Sequence, residues 1–379
     1  MTRALELAAR GRATTHPNPR VGCVIVRDGA IAGEGWHARA GEPHAEIHAL
    51  RAAAERARGA EVFVSLEPCC HHGRTPPCVD ALIAAGVGKV WVAMTDPNPR
   101  VAGQGIECLR AAGIDVETDL LRAEAEVLNR GFVSRMTRGR PWVTLKLAAS
   151  LDGRTAMASG ESRWITGAPA RADVHRLRAE AGAVLTGVGT VLADDPQLDC
   201  RESAIGNRES SMRQPDRIVL DAEARTPVTA KVWAEGARRF WFTAASGPAP
   251  SGVERIVVPR AAGGLALGAV LAELARREVN EVFAECGPTL AGGLLQSGAV
   301  DELLLYLAPS LLGHEARPLA KLPGLARLDQ RLRWHWRSVE RIGDDLRVVL
   351  QNDSRFRVSL AENDIESFSE AAKRPDSRS

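Results

Sequence analysis

The sequence predicts two successive α/β domains, the first a three-layer α/β/α unit built on a mostly parallel sheet. Three observations predict it. The chain has 379 residues, more than the roughly 150 that one domain core usually organises. Short β-branched runs alternate with Ala- and Leu-rich helical runs along most of its length, which is the grammar of α/β folds. The segment Gly139-Arg140-Pro141 interrupts that alternation once, between a charged helical stretch and a fresh strand. Proline lacks the amide that a helix needs, so a helix stops there.

In the first half, residues 21–26 and 62–66 read as strands because Val, Ile and Phe dominate them. Residues 46–58 and 78–85 read as helices from their Ala and Leu content. After breaks at Gly86 and Gly88, residues 90–94 form a third strand; 105–112 and 114–117 repeat the helix–strand unit, and 122–138 is helical. The second half opens with strand 142–148. Helix 168–180, strands 183–186, 217–221 and 239–243, helix 266–277, strand 281–285, helix 289–296 and strand 302–308 follow. Residues 201–214 are polar and read as a loop. Residues 353–379 hold too few large apolar side chains to offset the entropy of ordering and read as an appended, disordered tail. The division is therefore 1–139, 140–352 and 353–379, with the joint near 138–141.

Charge excludes some partners. Lys and Arg number 49 against 47 Asp and Glu, for a net charge of +2. No bulk attraction to nucleic acid or anionic membrane follows from that balance. Aromatic residues make up 4% of the chain, leaving few stacking platforms for single-stranded nucleic acid. The N-terminal residues carry charges throughout and lack a signal peptide's apolar run. No uninterrupted apolar stretch is long enough to span a bilayer. The seven cysteines, Cys23, Cys69, Cys70, Cys78, Cys108, Cys200 and Cys286, are an odd set with three close together. Reduced thiols in a cytoplasmic protein, some of them on metal, account for that set better than a disulfide framework.

One local repeat stands out: Thr15-His16-Pro17-Asn18-Pro19-Arg20-Val21 against Thr95-Asp96-Pro97-Asn98-Pro99-Arg100-Val101. Two prolines stiffen each copy, and the expectation is that both loops line one pocket.

The strongest chemical signal is Pro43-His44-Ala45-Glu46 followed by Glu67-Pro68-Cys69-Cys70-His71-His72-Gly73-Arg74-Thr75-Pro76-Pro77-Cys78. His-x-Glu opening one helix, with Pro-Cys and a later Cys opening another, is the arrangement of zinc deaminases. One imidazole and two thiolates hold Zn²⁺ and leave a fourth position for water, whose pKa the metal lowers from 15.7 to about 7. Glu46 stands two residues from His44, placed to shuttle a proton rather than to bind metal. The general signature separates its cysteines by two residues, whereas Cys69 and Cys78 are eight residues apart, so Cys70, His71 and His72 are rival ligands. A surface role suits the two histidines, and packing or exposed thiols suit Cys23, Cys108 and Cys200.

Longer strings extend the pattern: residues 15–22 (THPNPRVG), 41–46 (GEPHAE), 66–78 (LEPCCHHGRTPPC) and 96–105 (DPNPRVAGQG). Together they resemble the bifunctional riboflavin-biosynthesis deaminase/reductase family, whose members carry this long cysteine spacing, over about residues 1 to 350. The second half matches it at 145–155 (LKLAASLDGRT), 160–166 (GESRWIT), 187–196 (GVGTVLADDP) and 285–293 (ECGPTLAGG). The resemblance implies a cytidine-deaminase-like domain followed by a dihydrofolate-reductase-like one. It implies one Zn²⁺ on His44, Cys69 and Cys78, with Glu46 as the proton shuttle. The implied substrate is a phosphorylated pyrimidine, 2,5-diamino-6-ribosylamino-4(3H)-pyrimidinone 5′-phosphate, which is deaminated and whose ribosyl group is then reduced with NADPH.

Carried over position by position, Ala148, Trp164, Thr190, Asp194, Ala222 and the run Gly287, Pro288, Thr289, Leu290, Ala291, Gly292, Gly293 would line NADPH. Ser162, Arg178, Leu198, Arg201 and Glu285 would contact substrate. Strand 281–285 running into Gly-Pro and a helix suits a dinucleotide phosphate on its own physical grounds, because free N–H groups open that helix. Planar arginines suit a 5′-phosphate. Lys146, Asp194 and Glu285 are candidates for polarising the ribose carbonyl or supplying its proton. Two other readings compete: a zinc nucleoside or RNA deaminase with a C-terminal binding module, and a structural zinc protein in which Glu46 is dispensable. No nucleic-acid or membrane partner is expected, and a homo-oligomer is allowed.

Overall fold

The computed structural model describes residues 1–71, 76–99, 101–201 and 213–352. His72, Arg100, most of the expected 201–214 loop and the expected 353–379 tail lie outside them.

The first half contains α1 (Thr2–Ala9), β1 (Gly22–Arg27), β2 (Ala30–Trp36), α2 (Ala45–Ala53), β3 (Glu61–Val64), α3 (Cys78–Ala85), β4 (Lys89–Val92), α4 (Gln104–Ala111), β5 (Asp115–Thr118), α5 (Arg122–Leu128) and α6 (Arg130–Arg138). Its sheet runs β2-β1-β3-β4-β5. The parallel grammar holds for β3, β4 and β5 only, because β1 pairs antiparallel with both β2 and β3. The omitted strand is β2, joined to β1 by Asp28 and Gly29, both at positive φ. That is the two-residue turn whose twist matches a hairpin, and Asp-Gly is its sequence signal. The expected helix 122–138 is two helices, split at Asn129, whose carboxamide pairs with both backbone groups of Arg20.

Three layers form as expected. Ala49, Val79, Leu82 and Leu109 from α2, α3 and α4 bury one face of the sheet; Leu7 of α1 and Ala125 of α5 lie over the other. Each fully buried Leu or Val contributes about 1.5–3 kcal/mol.

The second half contains β6 (Trp142–Ser150), β7 (Arg154–Ala156), α7 (Ala168–Ala181), β8 (Ala183–Gly187), α8 (Val188–Asp194), β9 (Asp216–Leu220), β10 (Arg239–Thr243), β11 (Glu254–Val257), β12 (Arg260–Ala261), β13 (Gly264–Leu265), α9 (Leu267–Arg276), β14 (Glu281–Glu285), α10 (Pro288–Gln296), β15 (Glu302–Ala308), β16 (Arg317–Pro318), β17 (His335–Ile342) and β18 (Asp345–Gln351). Nine strands form one sheet, ordered β11-β10-β9-β8-β14-β6-β15-β18-β17. Strands β11 to β15 are parallel, and β18 and β17 close the edge as an antiparallel pair that the sequence reading omitted. The chain leaves β6 and returns at β8, so β14 later fills the gap between them. Such a switch in strand order opens a crevice at the carboxyl ends of the strands, where α/β proteins bind ligands.

The two halves meet through charge. Arg20 lies 2.8 Å from Glu281 and donates to the carbonyl oxygens of Leu128 and Glu180. Arg130 bridges Glu281 and Glu302 at 3.2 and 2.6 Å, and Arg138 and Arg140 share Asp301. Gly131 lets α6 approach this closely, since a Cβ there would lie 2.2 Å from Glu281 Cγ.

Candidate active sites

The deaminase-type site forms where α2 and α3 begin. Glycine in β2 sets its depth: a Cβ on Gly35 would lie 2.3 Å from Ala45 O and one on Gly33 2.2 Å from Ala49 O. Helix α2 therefore lies directly on the strand, with His44 at its N-cap and Glu46 buried in its first turn. Cys78 opens α3 and donates its backbone N–H to Cys69 Sγ at 3.4 Å. His44 Nδ1 is 3.2 Å from Cys78 Sγ and 3.6 Å from Cys69 Sγ, and all three donor atoms lie within 4.8 Å of one another.

Electrostatics prepare this cluster. A hydrogen bond with the Cys78 thiol, together with those from His44 and the Cys78 amide, overcomes burial and holds Cys69 down to about 4, so a thiolate is ready. Cys78 is pushed up by the same shared hydrogen bond. Burial, reinforced by the Cys69 charge, pushes Glu46 up to about 7, and its Oε2 has no partner among the described residues. Two sulfurs, one imidazole nitrogen and a buried carboxyl with one unpartnered oxygen fit a catalytic zinc with one open position.

The rivals sit elsewhere. Cys70 Sγ faces Gln104 Oε1 at 3.7 Å, His71 is exposed, and His72 is outside the described residues. Cys23 and Cys200 are buried, Cys108 is exposed, and all seven thiols are free. The repeated loops make different contacts, one toward His37 and the other toward Glu67. The first lines a small cavity at the joint between the halves, and its Asn18 reaches His37 Nε2 at 3.0 Å. The second turns through Asp96, whose backbone N–H donates to Glu67.

Two positioning residues carried no role in the sequence reading. Glu67 is buried and accepts from the N–H groups of Asp96, Gly103, Gly105 and Ile106 at 2.9–3.3 Å, capping α4 beside Cys69. His37 is buried, contacts Pro43 O at 3.2 Å, and lies edge-on to the His44 ring at 5.2 Å. Glu67 was visible in the Leu-Glu-Pro-Cys string; its partners were not.

The second site is an open cleft of about 2440 Å³ at the carboxyl ends of β6, β8, β9 and β14. Among the expected cofactor residues, Ala148, Trp164, Thr190, Asp194, Ala222, Gly287, Pro288, Thr289, Leu290 and Gly293 line it. Ala291 and Gly292 do not. Ala291 is fully buried in the core, and a Cβ on Gly292 would lie 1.8 Å from Lys321 O, so this glycine serves helix packing. The expected substrate residues Ser162, Arg178, Leu198, Arg201 and Glu285 all line the cleft.

Helix α10 starts at the cleft with Gly287 as N-cap. Pro288 has no amide, and the first-turn N–H groups of Thr289 and Leu290 have no intrahelical acceptor. Thr190 Oγ1 accepts from Gly287 N at 3.2 Å, tying α8 to this turn. A Cβ on Gly189 would meet nothing within 4 Å. That open cradle beside a helix N-terminus fits a dinucleotide's pyrophosphate. Arg178 grips Glu285 with Nε and Nη2 at 2.5 and 2.9 Å and donates from Nη1 to Asp199 O. Burial would raise Glu285, but Arg178 and Lys146 hold it below its ordinary range. Lys146 lines the same cleft, and burial lowers its pKa. Arg178 is thus committed to Glu285, while Arg201, 63% exposed and 3.8 Å from Asp199, is the freer cation.

Among the described residues no helix is long and apolar enough to cross a membrane. The family described as cytidine and deoxycytidylate deaminase zinc-binding region matches residues 1–94, and the RibD C-terminal domain matches 141–348. The riboflavin biosynthesis protein RibD of Escherichia coli (strain K12) is 53% identical over 356 residues, covering 91% of this chain and 96% of that protein. Its Haemophilus influenzae counterpart is 47% identical over 360 residues, covering 92% and 95%. Acinetobacter baumannii RibD superposes with a TM-score of 0.86 at 44% identity over 93% of this chain and 97% of that one. The diaminohydroxyphosphoribosylaminopyrimidine deaminase/5-amino-6-(5-phosphoribosylamino)uracil reductase from Thermotoga maritima does so at 0.83 with 34% identity, over 93% and 97%. The chain therefore belongs to the RibD family of bifunctional riboflavin-biosynthesis enzymes, a zinc-dependent deaminase joined to an NADPH-dependent reductase.

Proposed function

We propose how the residues divide this work. Residues 1–139 carry the deaminase and 140–352 the reductase, in the cytoplasm and without a nucleic-acid partner. His44 Nδ1, Cys69 Sγ and Cys78 Sγ hold the zinc, which when bound supplies the Lewis acidity that makes water a nucleophile near neutral pH. Glu46 would accept one proton of that water and pass it to the ring nitrogen, then take the second proton from the new hydroxyl and pass it to the amino group, which leaves as ammonia. A carboxyl raised to about 7 exists in both forms at the working pH, as a group that must take and give a proton requires. Glu67 and His37 keep the Pro68–Cys69 turn and His44 in register.

In the reductase, Thr289 and Leu290 amides hold the cofactor's pyrophosphate, and NADPH when bound supplies the hydride. Ser162, Leu198 and Arg201 bind the ribosylamino phosphate. Arg178 keeps Glu285 ionised and oriented beside it. Lys146, paired across the β6–β14 register with Glu285, delivers the proton that accompanies hydride transfer.

One observation supports the deaminase assignment above all: a buried carboxyl oxygen without a partner beside a His–Cys–Cys cluster. The full chain, given the diaminopyrimidine phosphate with and without NADPH, is expected to release ammonia first and then to oxidise NADPH. Glu46→Gln should lower ammonia release by about 10²–10⁴-fold with zinc still bound by metal analysis. Normal ammonia release from that variant would remove Glu46 from the mechanism.

A further inference from the structure

One face of the nine-stranded sheet carries a row of polar side chains that the roles above use only in part. It runs from β14 to β17. Glu285 of β14 lies opposite Lys146 of β6, and Tyr306 of β15 lies opposite Ala148, two residues along β6 from Lys146. Side chains two apart on a strand share a face, so Lys146 and Tyr306 are diagonal neighbours. Tyr306 is also opposite Arg347 of β18, which is opposite Glu340 of β17.

Helix α7 lies over this row. Its Val174 and Leu177 pack with Ala148, Leu304 and Tyr306. Its polar residues reach both sides of Lys146: Arg178 grips Glu285, and Asp173 accepts from the Tyr306 hydroxyl at 2.6 Å. Asp173 is fixed in turn, with Arg176 and Arg347 at 2.5 and 3.1 Å from its carboxylate. Tyr306 is 1% exposed. Burial and the bond to Asp173 raise its pKa, so the phenol keeps its proton and donates. The Lys146 ammonium stands over the ring thus held, 5.8 Å from its centroid.

Lys146, half-buried at the cleft, is under opposing influences. Desolvation disfavours its charged form, Glu285 favours it and Arg178 opposes it. His175 of α7 also lines the cleft, but burial lowers its pKa and with it any competing charge. The face of an aromatic ring is electron-rich and favours a cation. Tyr306 therefore adds to Glu285 from the opposite side.

We propose that Tyr306 is a positioning residue of the reductase: its ring, held by Asp173 and Arg347, steadies the Lys146 ammonium beside Glu285. Neither Asp173 nor Arg347 lines the cleft, so both act through Tyr306. The assignment rests on the reading of Lys146 as the proton donor.

Tyr306 is the chain's one tyrosine, which gives the test a direct signal. In the full chain labelled with ring-¹³C tyrosine, its resonance should move as Lys146 loses its proton, and that inflection should vanish in Lys146→Met. NADPH oxidation on the deaminated intermediate is followed over the same pH series. A donor whose ammonium is less favoured loses its proton at lower pH. The alkaline limb of kcat should therefore shift down by about one pH unit in Tyr306→Leu. Tyr306→Phe and Asp173→Ala keep the ring but not its anchor and should shift the limb the same way by less. If Tyr306→Leu does not fold, as thermal melting reads, those two variants and the resonance carry the test. A merely structural Tyr306 would lower the rate equally at every pH. That result, or an inflection that survives Lys146→Met, overturns the proposal. Reduction at the native rate by Lys146→Met would instead refute the proton-donor reading, and the positioning role would fall with it.

Discussion

Glu67 accepts four backbone N–H groups with two oxygens, and each partner is 29 to 39 residues away in sequence. Only an ionised carboxylate offers acceptors to all of them. In Glu67→Gln one oxygen becomes an NH₂ facing donors, which should cost about 1–3 kcal/mol and lower zinc affinity by about tenfold. Thermal melting and competition with a chelator would read both; native zinc affinity in a folded variant would deny Glu67 its positioning role. The contrast with Glu46 shows what was legible. Glu46 and His44 lie two residues apart at the start of one helix, so their relation could be read along the chain. Glu67 stood in plain view, but its work depends on a loop and a helix that reach it only in the folded state.

Elements show the same division. Helices with strong local preference, such as α3, and buried strands, such as β10 and β14, fall where the sequence placed them, because composition and period act over short stretches. Strand β2 was missed although Asp28-Gly29 announced its turn. Its residues Ala-Ile-Ala-Gly-Glu-Gly-Trp are poor strand formers, and two of its glycines are there for α2. Gly35→Ala puts a Cβ 2.3 Å from Ala45 O and 2.6 Å from Ala49 N and His48 Cβ. The expected cost is about 1–3 kcal/mol from overpacking. Because α2 carries His44 and Glu46, ammonia release should fall far more than NADPH oxidation on the deaminated intermediate. Equal retention of both rates would show that α2 tolerates the shift.

For the whole molecule, the joint between the halves is a buried ion network centred on Glu281. Burial would raise that carboxyl, but Arg20 and Arg130 hold it below its ordinary value. A depressed folded pKa means the contribution is fully present above the unfolded carboxylate value and is lost as pH falls through the lower, folded one. Coupling between the halves should therefore persist through neutral and mildly acidic pH and weaken only in stronger acid. Glu281→Gln leaves Arg20 without its carboxylate and Arg130 with Glu302 alone, and should cost about 3–5 kcal/mol, with the two halves then melting in separate calorimetric transitions. A single unshifted transition in that variant would mean the halves are joined by other contacts.

The sequence by itself determined the fold class, the break near Gly139, the His–Glu–Cys–Cys chemistry and most of the residues that line the reductase cleft, because each rests on local composition or on short fixed spacings. Ala291 and Gly292 of the expected cofactor run fall outside the cleft lining, since consecutive residues of a helix cannot all face one side. Only the tertiary structure decided which sulfurs meet His44, that Arg178 is committed to Glu285, and that Asn18 reaches His37 while Asp96 reaches Glu67. Those facts depend on contacts between segments far apart in the chain, and such contacts exist only once the sheets have set the distances between them.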